Sequence, residues 1–217
     1  MPLGGQYGTT RVATVALVRA AHFESGKFFV LPAPDSPSFC SGATYLVFLK
    51  TIEQLQRDGR IKLDADTMES LVIRDGQHDG EGVWGRWNAN GPGTARLFYE
   101  LGLGTNSTDF ATARPGDFMK IFWTPEVGSA EHGHSVVFLG TEMQNGVQYV
   151  RFWSSNIPAG YGEKSVPRTK IAQVIFSRLE TPANLARIKT APDTDPYLAG
   201  LVIKRSSFTE ARAKCGL

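Results

Sequence analysis

Cys40-Ser41-Gly42-Ala43-Thr44-Tyr45-Leu46-Val47-Phe48-Leu49 is the stretch that decides how the rest of the chain is read. It follows a loop punctuated by Pro32, Pro34 and Pro37. From Ser41 to about Arg57, the residues Tyr45, Leu46, Phe48, Leu49, Ile52 and Leu55 recur at helical spacing until Asp58-Gly59 breaks the pattern. A cysteine thus stands in the first turn of an apolar helix. There the helix dipole and the unpaired backbone N–H groups favour thiolate over thiol, which makes a cysteine nucleophilic.

Upstream of this helix, Thr9 or Thr10 caps an expected helix running through Val15, Leu17, Val18 and Ala21, with Gly26 ending it soon after His22 and Phe23. Lys27 to Val30 is expected to be a short extended piece. Downstream, a second amphipathic stretch begins near Asp64 with Met68, Leu71 and Val72 and breaks at Asp75-Gly76. The segment from Gln77 to Gly93 is glycine-rich and aperiodic and holds Trp84 and Trp87. It is expected to be a long loop whose two indoles either line a substrate groove or cover the core beneath. A helix from Thr94 to Leu101 follows, stopped by Gly102 and Gly104.

The second half changes period. Phe118 to Trp123, Ser135 to Leu139 and Val147 to Trp153 alternate as strands, with an Asn145-Gly146 turn joining the last two into a hairpin. Ala172 to Leu179 is a further expected strand, and Pro182 to Ile188 a short helix. Helices first and an antiparallel sheet afterwards predict an α+β fold in a single domain spanning residues 1–217.

Composition narrows the function classes. A formal net charge of +2 and the lack of any run of five basic residues exclude the electrostatic footprint of a nucleic-acid binder. No stretch approaches the roughly 18 apolar residues of a membrane span, and Val12 to Val18 is flanked by Arg11 and Arg19. Two cysteines allow one disulfide, Cys40 to Cys215. The specialised turn-to-helix setting of Cys40 and the polar tail around Cys215 do not look like partners.

A cysteine nucleophile needs an imidazole to take its proton. His134 is the favoured base, preceding the apolar alternation Val136-Val137-Phe138-Leu139 and following Gly133; His132 is the alternative, while His22 and His78 fit surface or capping roles. Cys40, His132 and His134 would make a three-ligand zinc set, but no fourth ligand stands at a recognisable spacing. The imidazole also needs a polar side chain on its second nitrogen. Counting back from the Asn145-Gly146 turn sets Gln144 against Val147, Ser135 against Asn156 and Val137 against Ser154. Asn156 is the first choice for that orienting residue and Ser154 the second. The same polar residues equally suit a plain strand end.

Together, Phe39-Cys40-Ser41-Gly42 before an apolar helix, Arg114-Pro115-Gly116-Asp117-Phe118 opening a strand, and His134 before Val136 to Gly140 resemble the NlpC-type cell-wall peptidases of the papain-like superfamily. The likeness covers roughly Thr10 to Tyr161. It implies a papain-like core over about residues 10–180, an insertion over about 58–112 and a C-terminal extension over about 181–217. It further implies a cysteine hydrolase that cleaves amide bonds in peptidoglycan peptides through a thioester, with Cys40 as nucleophile, His134 as base, Asn156 or Ser154 orienting the ring, Trp84 and Trp87 lining the groove, and no metal or cofactor required. If that reading holds and a leader has been removed, the protein works in the periplasm or outside the cell. The chain differs from the family pattern at Phe39, where Asp is common, at Phe28, near the place of a family tyrosine linked to the oxyanion site, and at Val136, where Gly is usual. Related alternatives are an amidase, an acyltransferase or a toxin directed at cell walls, and a binding module that keeps the fold without the chemistry.

Overall fold

The computed structural model describes residues 1–25, 27–33 and 35–217; the helix stop expected at Gly26, and Pro34 of the proline-rich loop, lie outside them. The chain opens with β1 (Gln6–Tyr7) and α1 (Arg11–Ala20), then β2 (Ala21–Glu24), β3 (Lys27–Val30) and β4 (Pro37–Ser38). Next come α2 (Cys40–Arg57), α3 (Ala65–Glu69), α4 (Gly82–Asn88) and α5 (Gly93–Leu101). β5 (Gly104–Ser107), β6 (Phe118–Phe122), β7 (Val127–Gly128), β8 (Gly133–Gln144), β9 (Val147–Asn156), β10 (Gly160–Pro167) and β11 (Gln173–Leu179) follow, before α6 (Pro196–Gly200), β12 (Arg205–Ser206) and α7 (Phe208–Lys214). Among the described residues, six strands form an antiparallel sheet in the order β10-β9-β8-β6-β11-β5. The architecture is mixed helix and sheet.

α2 lies against β8 and β9 and forms the centre of the largest apolar cluster, where Tyr45, Phe48, Leu49 and Ile52 are wholly buried. Gly42 has a packing reason: a Cβ there would stand 2.9 Å from Leu17 of α1, so glycine lets α1 cross the first turn of α2 closely. The other sheet face buries Met119, Ile121, Val136, Phe138, Phe152 and Phe176.

Several expectations change. α1 ends at Ala20, and His22 and Phe23 lie on β2, paired with β3 as Phe23↔Phe28 and Ala21↔Val30. The reason is the period-two burial of Phe28 and Val30, which only a strand delivers to the core. The segment expected as a long loop contains α4. Its indoles are in the core: Trp84 is 5% and Trp87 1% exposed, and Trp87 packs on Phe48, Phe98 and Phe118 while its Nε1 donates to Thr44 Oγ1 at 3.2 Å. Trp84 and Trp87 are therefore core residues, which corrects the substrate-groove expectation in favour of the alternative that the indoles cover the core. The region 58–112 is not peripheral either, since it supplies Leu63, Met68, Leu71 and Val83 to the main cluster and β5 to the sheet edge.

Arg114-Pro115-Gly116-Asp117 closes a tight turn into β6. Asp117 accepts from the Arg114 backbone N–H at 2.8 Å and from Arg178 Nε and Nη2 at 2.9 and 2.7 Å, and Gly116 has φ +98°. This buried carboxylate joins β6 to β11. Its role is to fix the sheet that carries the histidine.

Candidate active site

Cys40 occupies the first helical position of α2, directly after its N-cap Phe39. It is half-buried and carries a free thiol. The His134 side chain and the backbone N–H of Ser135 face its sulfur. Burial pushes the thiol up, but the hydrogen bond and charge of His134, the Ser135 N–H and the charge of Lys120 outweigh it, and Cys40 falls from an ordinary value of 9.0 to about 7. The anion is thus far easier to reach near neutral pH than at an ordinary cysteine.

His134 reaches this point from the first residues of β8, where it stands opposite Ile121 of β6. Its Nε2 lies 3.1 Å from Asn156 Oδ1. The orientation of that amide is fixed, because Asn156 Nδ2 donates to Gly162 O at 2.8 Å and Ser154 O at 3.2 Å. The oxygen must therefore face the imidazole, so Nε2 carries the hydrogen and Nδ1 is left free to face the sulfur. Trp123 stacks on the ring at 6.3 Å and Phe152 meets it edge-on at 5.7 Å, restricting its rotation.

How Asn156 comes to this place differs from the expectation. The Asn145-Gly146 turn forms, with φ +50° and +78°, and Gln144 pairs with Val147. A bulge between Phe138 and Gly140 then shifts the register by one, so Val137 faces Trp153 rather than Ser154. A one-residue slip moves a strand's side chains to the other face of the sheet. Continued past Val137, the shifted register sets His134 itself against Asn156, on one face; the unbulged count would have put them on opposite faces. Gly140, at φ +137°, is the residue that permits the bulge.

Ser154 is buried and donates its Oγ to Ser135 O at 2.7 Å, so it supports the strand and does not orient the imidazole. His132 is exposed, its backbone carbonyl accepts from the Trp123 N–H, and it is not among the groups acting on the Cys40 sulfur. His22 stacks on Phe29, and His78 is exposed. Among the described residues no group of three or more His, Cys, Asp and Glu side chains gathers as a metal-binding set. Both cysteines are free, so the disulfide alternative does not hold.

Sequence reasoning missed Tyr7. β1 pairs in parallel with β4, Tyr7 against Ser38, and the Tyr7 N–H donates to Pro158 O at 3.0 Å; this brings the phenol to the Cys40 sulfur. Burial, then the charge and hydrogen bond of Cys40, push the Tyr7 hydroxyl up to about 12, so it stays a donor through the neutral range. Phe28, near the expected place of a family tyrosine, is instead a core residue 6% exposed. The only signal for Tyr7 was its setting in Gly4-Gly5-Gln6-Tyr7-Gly8, where Gly4 and Gly5 take φ of +89° and +88°.

Ser41 Oγ donates to Asn88 Oδ1 at 2.7 Å, and Asn88 Nδ2 donates to Asp79 Oδ1 at 2.9 Å. The first turn of α2 is thereby tied to the end of α4. A groove of about 660 Å³ runs along the later turns of α2 beside Pro2, Pro32 and Trp153, and none of the residues around the sulfur lines it. No described helix is long and apolar enough to cross a membrane. Comparison with family models, curated proteins and solved structures returns no match.

Proposed function

We propose that this protein is a cysteine hydrolase of papain-like, NlpC-type organisation that cleaves an amide bond through a thioester, with peptidoglycan peptides as the substrate class. The observation that carries the reading is the His134 ring, whose Nε2 lies 3.1 Å from Asn156 Oδ1 and whose charge lowers the Cys40 thiol. In the proposed reaction the Cys40 thiolate attacks the amide carbonyl, and the C–N bond breaks as His134 gives the proton on Nδ1 to the leaving amine. Water, deprotonated by the same nitrogen, then attacks the thioester and releases the acid and the thiol. The Cys40 backbone N–H at the helix head and the Tyr7 hydroxyl are the donors suited to the developing oxyanion.

A binding module on the same fold is the less favoured reading, because a depressed thiol, a tautomer-fixing amide and a donor phenol serve no purpose in binding alone. The substrate class rests on the resemblance of Cys40-Ser41-Gly42, Pro115-Gly116-Asp117 and the His134 strand to the cell-wall peptidases. Digestion of purified sacculi, with the fragments identified by mass, tests it: peptide release by the wild type and none by Cys40→Ala is the expected result. Equal release by both would refute the role of Cys40.

A further inference from the structure

Beside the dyad lies an ion pair that the proposed chemistry does not use. Lys120 of β6 stands opposite Ser135 in the ladder, the residue whose N–H faces the Cys40 sulfur. Its Nζ pairs with Glu131 Oε1 at 2.6 Å, with only 13% and 4% of the two side chains exposed. Glu131 is held in turn by the N–H groups of Gly128 at 3.0 Å and Gly91 at 2.5 Å through Oε2. A Cβ on Gly133 would stand 2.9 Å from both Cε and Nζ of Lys120 and 2.8 Å from Glu131 Oε1. The residue before His134 is glycine because the pair lies over it.

Burying two opposite charges costs desolvation that their attraction offsets only in part, and apolar replacements often serve stability equally well. Stability therefore does not account for a lysine here. The charges facing the Cys40 sulfur are His134 from β8 and Lys120 from β6, with the neutral Tyr7 hydroxyl from β1. Those facing Lys120 are Glu131, Cys40 and Asp79 from the loop before α4. Lys120 is the one lysine among them, and the proposed proton transfers at His134 do not use it.

We propose that Lys120 is a positioning residue of the reactive cysteine: its fixed ammonium holds negative charge on the Cys40 sulfur, and Glu131 sets how much of that field the sulfur feels. The inference rests on the reading of Cys40 as a reactive thiol, not on the identity of the substrate. Its consequence is a pair of opposite effects. Removing the cation leaves the sulfur harder to ionise, whereas neutralising Glu131 frees the cation and makes ionisation easier.

Iodoacetamide alkylation of Cys40, followed by mass spectrometry between pH 5 and 9.5, reads this directly. Lys120→Met is expected to raise the midpoint by roughly half a pH unit, about a threefold loss of rate at pH 6. Lys120→Arg restores the wild-type profile, and Glu131→Gln moves the midpoint down. Unchanged midpoints, or shifts of the same sign in Lys120→Met and Glu131→Gln, overturn the proposal, since a packing role disturbs both variants alike. If Lys120→Met does not fold, Glu131→Gln decides: a lower midpoint supports the proposal and an equal or higher one rejects it. A wild-type Cys40 inert below pH 8 would sink the reactive-thiol reading itself, a result distinct from a reactive Cys40 with immobile midpoints.

Discussion

The two cysteines occupy opposite kinds of surroundings. Cys215 closes α7, is 1% exposed and sits among Ala95, Phe122, Val127, Ile175 and Ala211; burial pushes its thiol up to about 12, with Arg96 opposing in part and Asp195 adding to the rise. Cys40 is also penalised by burial, yet it falls to about 7. Withdrawal from water acts in the same direction on both. What separates them is the set of groups acting on the sulfur: an imidazole, a backbone N–H and a cation at Cys40, against apolar walls and the opposed charges of Arg96 and Asp195 at Cys215.

The largest expected effect comes from removing the favoured sulfur. Cys40→Ala abolishes peptide release from sacculi while circular dichroism and the melting profile stay close to wild type, because the sulfur fills no core cavity. His134→Ala comes next, with turnover lower by about 10²- to 10⁴-fold, the usual contribution of a general base. Its alkylation midpoint moves from about 7 toward 9, making Cys40 behave more like Cys215. Asn156→Ala leaves the ring in place but frees its orientation, lowering turnover on the order of 100-fold; kcat should fall with little change in KM.

Trp87→Ala tests the other side of the comparison, the buried scaffold. Loss of an indole packed on Phe48 and Phe118 is expected to cost roughly 3–5 kcal/mol in urea unfolding. The fraction that stays folded should keep its substrate KM; a changed KM with unchanged stability would return the indole to the groove. The smallest effect belongs to Cys215→Ala. A thiol whose pKa is raised by folding contributes stability that is complete below the unfolded value near 9 and is lost as pH rises toward 12. The variant should lose less stability than wild type across that window and show the wild-type pH profile at Cys40.

Sequence carried the parts that depend on local pattern. The α2 helix was legible because Tyr45, Phe48, Leu49 and Ile52 share one face, and the Asn145-Gly146 hairpin because its turn needs positive φ. His134 and Asn156 were found, but Asn156 through a register that the Phe138/Gly140 bulge displaces. A bulge has no signature beyond a glycine in a strand, and the count from the turn ran straight through that glycine. Tyr7 arrives through pairing between β1 and β4, thirty-one positions apart in sequence, which no local period records. Trp84 and Trp87 were misplaced because α4 is short, glycine-rich and buried on most sides, so no amphipathic stripe marks it.

The most direct measurement is pH-resolved alkylation of the unaltered protein, with Cys40 and Cys215 quantified in the same sample by peptide mass. Cys40 should label with a midpoint near pH 7 while Cys215 stays unlabelled until the chain unfolds. Equal labelling of the two, or a Cys40 that reacts only above pH 8.5, would contradict the assignment of Cys40 and His134 as a working pair.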